Sequence, residues 1–289
     1  MSTTLTAAQF DLSQQDVEKV FSSISIPTCP AVVSEVMAEM EKEDPDIRRV
    51  AESIAADPGM VAVTLKLANS PLFRAGGQTS SIQHALERLG TRNINCVVIA
   101  SALRSAMEGV ASKYLAHFWS RASSLAMAAG LIARRQFGVA PDAAYTYALF
   151  HNAGQPLMMQ RYPEYEKVLA QCRRDKLMVH QVEGQYFPCT HPVIGALLVR
   201  NWGLPSLVGQ AIRFHHEPDL YDLPDKTLPG GAVSLIAVTH IAEYLSLEMD
   251  QEPDLEVGDA HFTRALAYFG IDSDELDALR EIILTARGS

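Results

Sequence analysis

Apolar residues recur every three to four positions along almost the whole chain, and strand-like alternation is scarce. A chain with that period can bury its apolar stripes only by packing helix on helix, so the expected class is all-α, a multi-helix bundle. Breakers cut the pattern at short intervals. Pro30 opens one helix and Pro58 ends another, Asn69-Ser70-Pro71 stops a third, and Gly90, Gly138, Gly203 and Pro205 mark further ends. Asp16 to Ser23 reads as a short helix, Asp44 as an N-cap, and Thr91 as the cap of a helix that follows Gly90. The stretch from His180 to Pro205 reads as containing one helix, and DLYDLPDKTLPGG as a surface loop. With 289 residues the chain can build one large domain or two modest ones. The expected division is two lobes, 1–112 (lead-in 1–19) and 113–289 with a C-terminal helical cap.

Charge narrows the partners. The net charge is -10 and basic residues cluster no further than pairs such as Arg134-Arg135, so neither nucleic acid nor an anionic membrane is expected as a partner. Cys29, Cys96, Cys172 and Cys189 are scattered without a CxxC, which suits reduced thiols. No leader-like start and no apolar run of about 20 residues is present, so a cytoplasmic protein is expected. Gly76-Gly77 is not followed by GK[ST] and reads as a turn, and Ser123-Ser124 lacks a GxSxG elbow. Trp119 and Trp202 occupy apolar helical positions and read as core.

One stretch resists the bland reading. ALFHNAGQPLMM, from Ala148 to Met159, sets His151-Asn152 in an apolar run broken by Gly154 and Pro156. His191, His215 and His216 also lie in or beside helices. Imidazoles projecting inward from separate helices can build a metal site. Spacing alone leaves open the commoner role of a hydrogen-bonded histidine, and His215-His216 also fits the close of a helix before Glu217-Pro218.

Several stretches in order resemble the HD-related output domain, HDOD, a relative of the HD metal-dependent phosphohydrolases. They are IPTCPAVVSEVM, IAADPGMVAVTLKLANSPLF, TSSIQHALERLGTRNINCVVIASAL, FWSRASSLAMAAGLIARRQF with YALFHNAGQPLM, and THPVIGALLVRNWGLPSLVGQAIRFHHEP. The resemblance covers roughly residues 20–245. It implies an HD-like second lobe and a role in bacterial signal transduction. Catalytic HD enzymes hold divalent metal with a first His, a His-Asp doublet and a later Asp. Here those positions fall on Arg121, His151-Asn152 and Glu243.

The substitutions point away from hydrolysis. An amide oxygen is a weaker donor than a carboxylate, and an arginine repels a metal and keeps its proton. Without metal, no water of lowered pKa forms. The expectation is therefore a non-catalytic regulatory module with a degenerate site at Arg121, His151, Asn152, His191, His215, His216 and Glu243, in which Arg121 pairs with Glu243. No cofactor is expected. Any metal would fall to His151, His191, His215 and His216. About 40 residues follow the HDOD-like region, so a signalling protein partner is expected, or a small phosphorylated ligand received by Arg121. The alternative is a metal-dependent phosphohydrolase acting on a nucleotide or cyclic dinucleotide.

Overall fold

A computed structural model describes residues 24–74, 76–107 and 112–287. Fourteen α-helices and no strand occur among them, in keeping with the all-α expectation. The described residues form two compact units: 27–74 with 76–107, and 112–287 together with 24–26. The helix expected over Asp16–Ser23 and the Thr91 side chain lie outside the described residues.

The first unit holds α1 (Ala31–Met40), α2 (Ile47–Ala55), α3 (Pro58–Ala68) and α4 (Ile82–Ala106). The cap of α2 is Asp46 rather than Asp44; its carboxylate accepts from the Arg48 and Arg49 amides. Asp44 lies two residues too early to reach those orphan donors. Asp57 caps α3 in the same way, with Pro58 in the first turn. α4 breaks at Gly90, whose φ of 72° suits glycine. The turn at Gly76-Gly77 is held by neighbours: Asn69 Oδ1 accepts from the Thr79 amide and Asn69 Nδ2 donates to the Thr79 carbonyl, both at 2.8 Å.

The second unit holds α5 (Ser112–Ala133), α6 (Pro141–Phe150), α7 (Gly154–Arg161), α8 (Tyr165–Asp175), α9 (Val179–Tyr186), α10 (His191–Asn201), α11 (Ser206–Phe214), α12 (Gly230–Asp250), α13 (Gly258–Phe269) and α14 (Ser273–Arg287). The stretch read as containing one helix is two. Phe187–Thr190, which includes Pro188, divides α9 from α10, because proline supplies no amide to continue a helix. The loop before α12 carries one 3-10 turn, Leu220–Asp222. α12 is apolar nearly all round and packs against α5, α6, α11 and α13. Among the described residues it alone is long and apolar enough to cross a membrane, and most of that stretch is buried within the protein. Trp119 and Trp202 are core residues. The four cysteines form no disulfide.

Candidate functional site

The site grows from three helix ends and one helix face within the second unit. α6 is buried at Ala144, Tyr145 and Tyr147–Phe150 and stops at His151. Residues 151–153 make a tight turn, closed by Ala153 N donating to Phe150 O and Gln155 N donating to Asn152 O, both at 2.9 Å. Pro156 follows in the first turn of α7, where a missing amide costs no helical bond. α10 starts at His191 and packs against α7 and α11. α11 ends at Phe214, which places His215 and His216 at its close. Glu243 lies on α12 and Arg121 on α5.

The seven predicted residues form two linked groups. Arg121 Nη2 lies 2.9 Å from Glu243 Oε1, and Glu243 Oε2 lies 3.3 Å from His151 Nε2. Burial opposes charge on Glu243, but His151 and Arg121 outweigh it and hold the carboxyl at about 2. The second group is His191, His215 and His216, each offering a ring nitrogen within 4.8 Å of the others. The His151 and His215 rings, 5.5 Å apart, join the groups. Asn152 is buried beside them and lines a cavity of about 80 Å³ with Tyr114, Arg121, Gln155, Arg173 and Glu256.

Hydrogen bonds fix the direction of the lone pairs. His151 Nδ1 meets the Ala148 carbonyl at 2.8 Å, and His215 Nδ1 meets the Ile212 carbonyl at 2.7 Å. His191 Nδ1 meets Glu183 Oε2 at 2.8 Å. Those oxygens only accept, so all three rings donate from Nδ1, and in the neutral ring Nε2 keeps its lone pair. His151 Nε2 faces Glu243 Oε2, whereas His215 Nε2, His216 Nδ1, Asn152 Oδ1 and Glu256 Oε2 are buried with no hydrogen-bond partner. A buried group of acceptors without donors is costly unless a cation sits among them. The donors are imidazole and carboxylate, the set that holds borderline divalent metals. Glu183 behind His191 matches the carboxylate–histidine–metal arrangement that fixes a ligand's tautomer.

Three residues of the site escaped the sequence. Glu183 Oε2 also accepts from the His191 amide at 2.9 Å, an anion at the N-terminus of α10, and Tyr165 donates to Glu183 Oε1. Burial opposes charge on His191, yet Glu183 raises its pKa. His180 stacks on His216 with ring centres 4.2 Å apart, and burial lowers its pKa to about 4. Glu256, in the connection between α12 and α13, accepts from Gln155 Nε2 at 2.7 Å, and burial raises its carboxyl to about 7. His180 and Glu183 share a face of α9 at i and i+3, a signal visible once α9 is recognised. Glu256 carries no periodic signal.

The HDOD domain model matches residues 26–218, about two thirds of the chain. The chain belongs to the HDOD family. An uncharacterized protein of Treponema pallidum (strain Nichols) is 25% identical over 270 residues, which cover 91% of this chain and 50% of that protein. The chain thus spans about half the length of that curated relative. Two solved structures share the HDOD fold. One, titled "Putative phosphohydrolase", from Shewanella amazonensis SB2B, has a TM-score of 0.70 at 24% identity and covers 95% of each chain. The other, titled "Putative signal transduction protein", from Marinobacter aquaeolei VT8, has a TM-score of 0.67 at 19% identity, over 98% of this chain and 67% of that one.

Proposed function

We propose that this chain is a regulatory HDOD module that works by binding and not by hydrolysis. The observation that carries this reading is the Arg121–Glu243 contact of 2.9 Å beside His151 and Asn152. The carboxylate at the later-acid position is already neutralised by a cation that keeps its proton. The neighbouring doublet offers an amide where catalytic HD enzymes offer a second carboxylate. The signal-transduction title of a neighbour of the same fold supports a regulatory role. The module would act on a signalling protein partner. A small phosphorylated ligand at the cavity between Arg121 and Arg173 would also suit guanidinium chemistry.

The test is hydrolysis of a generic phosphodiester and of cyclic dinucleotides by purified protein given manganese, iron or zinc, beside the double variant Arg121→His/Asn152→Asp. No turnover is expected from the native chain. Metal-dependent turnover by the native chain would overturn the reading.

A second feature is compatible with regulation. His191, His215 and His216 would hold a divalent ion, and the unpartnered nitrogens His215 Nε2 and His216 Nδ1 favour this. Such an ion would supply Lewis acidity only where a coordination position stays open.

A further inference from the structure

We infer that Glu256 is the fourth donor of the His191–His215–His216 metal site and closes it, so that the site holds a zinc-class ion without presenting it to a substrate. This inference rests on the metal reading just given.

The geometry carries it. Glu256 Oε2 lies 3.1 Å from His216 Nε2 and 3.9 Å from His191 Nε2, and those two nitrogens share a 3.2 Å hydrogen bond that an ion between them would replace. A circle through three points with sides of 3.1, 3.2 and 3.9 Å has a radius of about 2.0 Å, and zinc bonds to imidazole nitrogen and carboxylate oxygen are about 2.0–2.2 Å long. The three atoms are thus spaced as donors around one ion. Oε2 makes no aligned hydrogen bond despite its short distance to His216, and it is buried. A carboxylate oxygen facing two ring nitrogens, with nothing else to bond, calls for a shared cation.

The supporting contacts agree. Gln155 Nε2 holds the other carboxylate oxygen at 2.7 Å and so turns Oε2 toward the histidines. Asp254 pins the connection itself, accepting from the amides of Glu256, Val257 and Gly258 at 3.0, 2.9 and 2.7 Å. Glu256 lies beyond the matched HDOD segment, which ends at residue 218. Three imidazoles and one carboxylate complete the four donors typical of closed zinc sites, whereas catalytic zinc keeps a position for water. Closure by Glu256 and the absence of hydrolysis are then two aspects of one arrangement.

The test loads metal-free full-length chain with Co²⁺ and Zn²⁺ and reads stoichiometry, affinity and the visible spectrum of the cobalt form. One cobalt per chain with the intense bands of a four-coordinate ion is expected. Glu256→Gln should weaken binding by more than about 100-fold and give the weaker bands of a higher-coordinate ion. Gln155→Ala, which removes no donor, should weaken binding about 10- to 100-fold. Unchanged affinity and spectrum in Glu256→Gln would overturn the inference while leaving the three-histidine site standing. If Glu256→Gln does not fold, unchanged affinity in Gln155→Ala has the same consequence. A folded native chain that takes up no cobalt would end both the metal reading and this inference. Uptake that survives His191→Ala would also end both.

Discussion

Gly154 and His191 meet main chain to main chain: a Cβ placed on Gly154 would lie 2.1 Å from the His191 carbonyl oxygen. No side chain fits in that gap, and the obstacle is backbone that cannot rotate away. Gly195 repeats the motif on α10, where a Cβ would lie 3.0 Å from Ile212 Cγ2 and 3.4 Å from Gly154 N. The two glycines let α10 settle onto the 151–154 turn and so bring His191 to the site. Gly154→Ala should therefore displace the start of α10 and cost about 1–3 kcal/mol of stability as an overpacking change. Urea unfolding checks the cost. Stability equal to the native chain would mean that α7 and α10 separate without penalty.

The Arg121–Glu243 pair should show energetic coupling. Glu243 is 3% exposed and Arg121 is 35% exposed, so one charge of the pair is buried and the other is partly solvated. Removing Arg121 leaves a buried carboxylate with only His151 nearby, whereas removing both charges leaves no orphan. A double-mutant cycle with Arg121→Ala and Glu243→Gln should give a coupling of about 1–2 kcal/mol. Strict additivity would show that the contact contributes nothing to folding.

Acid should weaken the second unit through its buried histidines. Burial lowers the pKa of His240 to about 3, against the pull of Glu243; His261 and His151 also press it down. The His240 ring donates from Nε2 to the His215 carbonyl at 3.0 Å and meets the Tyr221 hydroxyl through Nδ1. An unfolded histidine titrates near 6.5, above the folded value, so the unfolded chain takes the proton first as pH falls. The stabilisation is complete above about pH 6.5 and is lost as pH drops toward about 3. His180 acts in the same direction down to about 4, and burial also lowers His215 and His216. Glu256 works oppositely, since its raised pKa favours the folded state at lower pH. His191, whose pKa Glu183 raises, also works oppositely, so four histidines stand against two groups and set the net sign. Urea stability measured with chelator present should fall between pH 7 and pH 4.5, by on the order of 2–3 kcal/mol for His240 alone. The slope should be shallower in His240→Gln. A flat profile in the native chain would refute the assignment.

How far the sequence announced this arrangement depends on what kind of signal each residue leaves. Helix class followed from period, and most helix ends followed from proline and glycine, because both act through local backbone geometry. α9 was missed because it is only eight residues long and runs straight into the Phe187–Thr190 break, so its period never accumulates. The histidines stood out as polar residues in apolar surroundings. Glu183 and Glu256 did not, since glutamates in short helices and connections usually face water. Their burial is a tertiary fact: it needs Tyr165 and the start of α10 for one, and Gln155 on α7 for the other.

Glu183 is the residue whose loss should be felt most in the metal-free protein. It is fully buried and accepts from three donors: the Tyr165 hydroxyl, the His191 amide and His191 Nδ1. Glu183→Ala would leave all three without a partner in a space too enclosed for easy hydration, and each unsatisfied buried donor costs about 1–3 kcal/mol. The expected loss is about 3–5 kcal/mol, tempered by relaxation of the Tyr165 side chain. Glu183→Gln should cost less, because its amide oxygen still accepts from His191 while its NH₂ group opposes the Tyr165 donor. Urea unfolding of both variants with chelator present separates this role from metal binding. If the two variants lose the same stability, the loss comes from the carboxylate charge that both remove, and the oxygen glutamine keeps contributes nothing. If alanine costs clearly more than glutamine, Glu183 is the acceptor that fixes where His191 points.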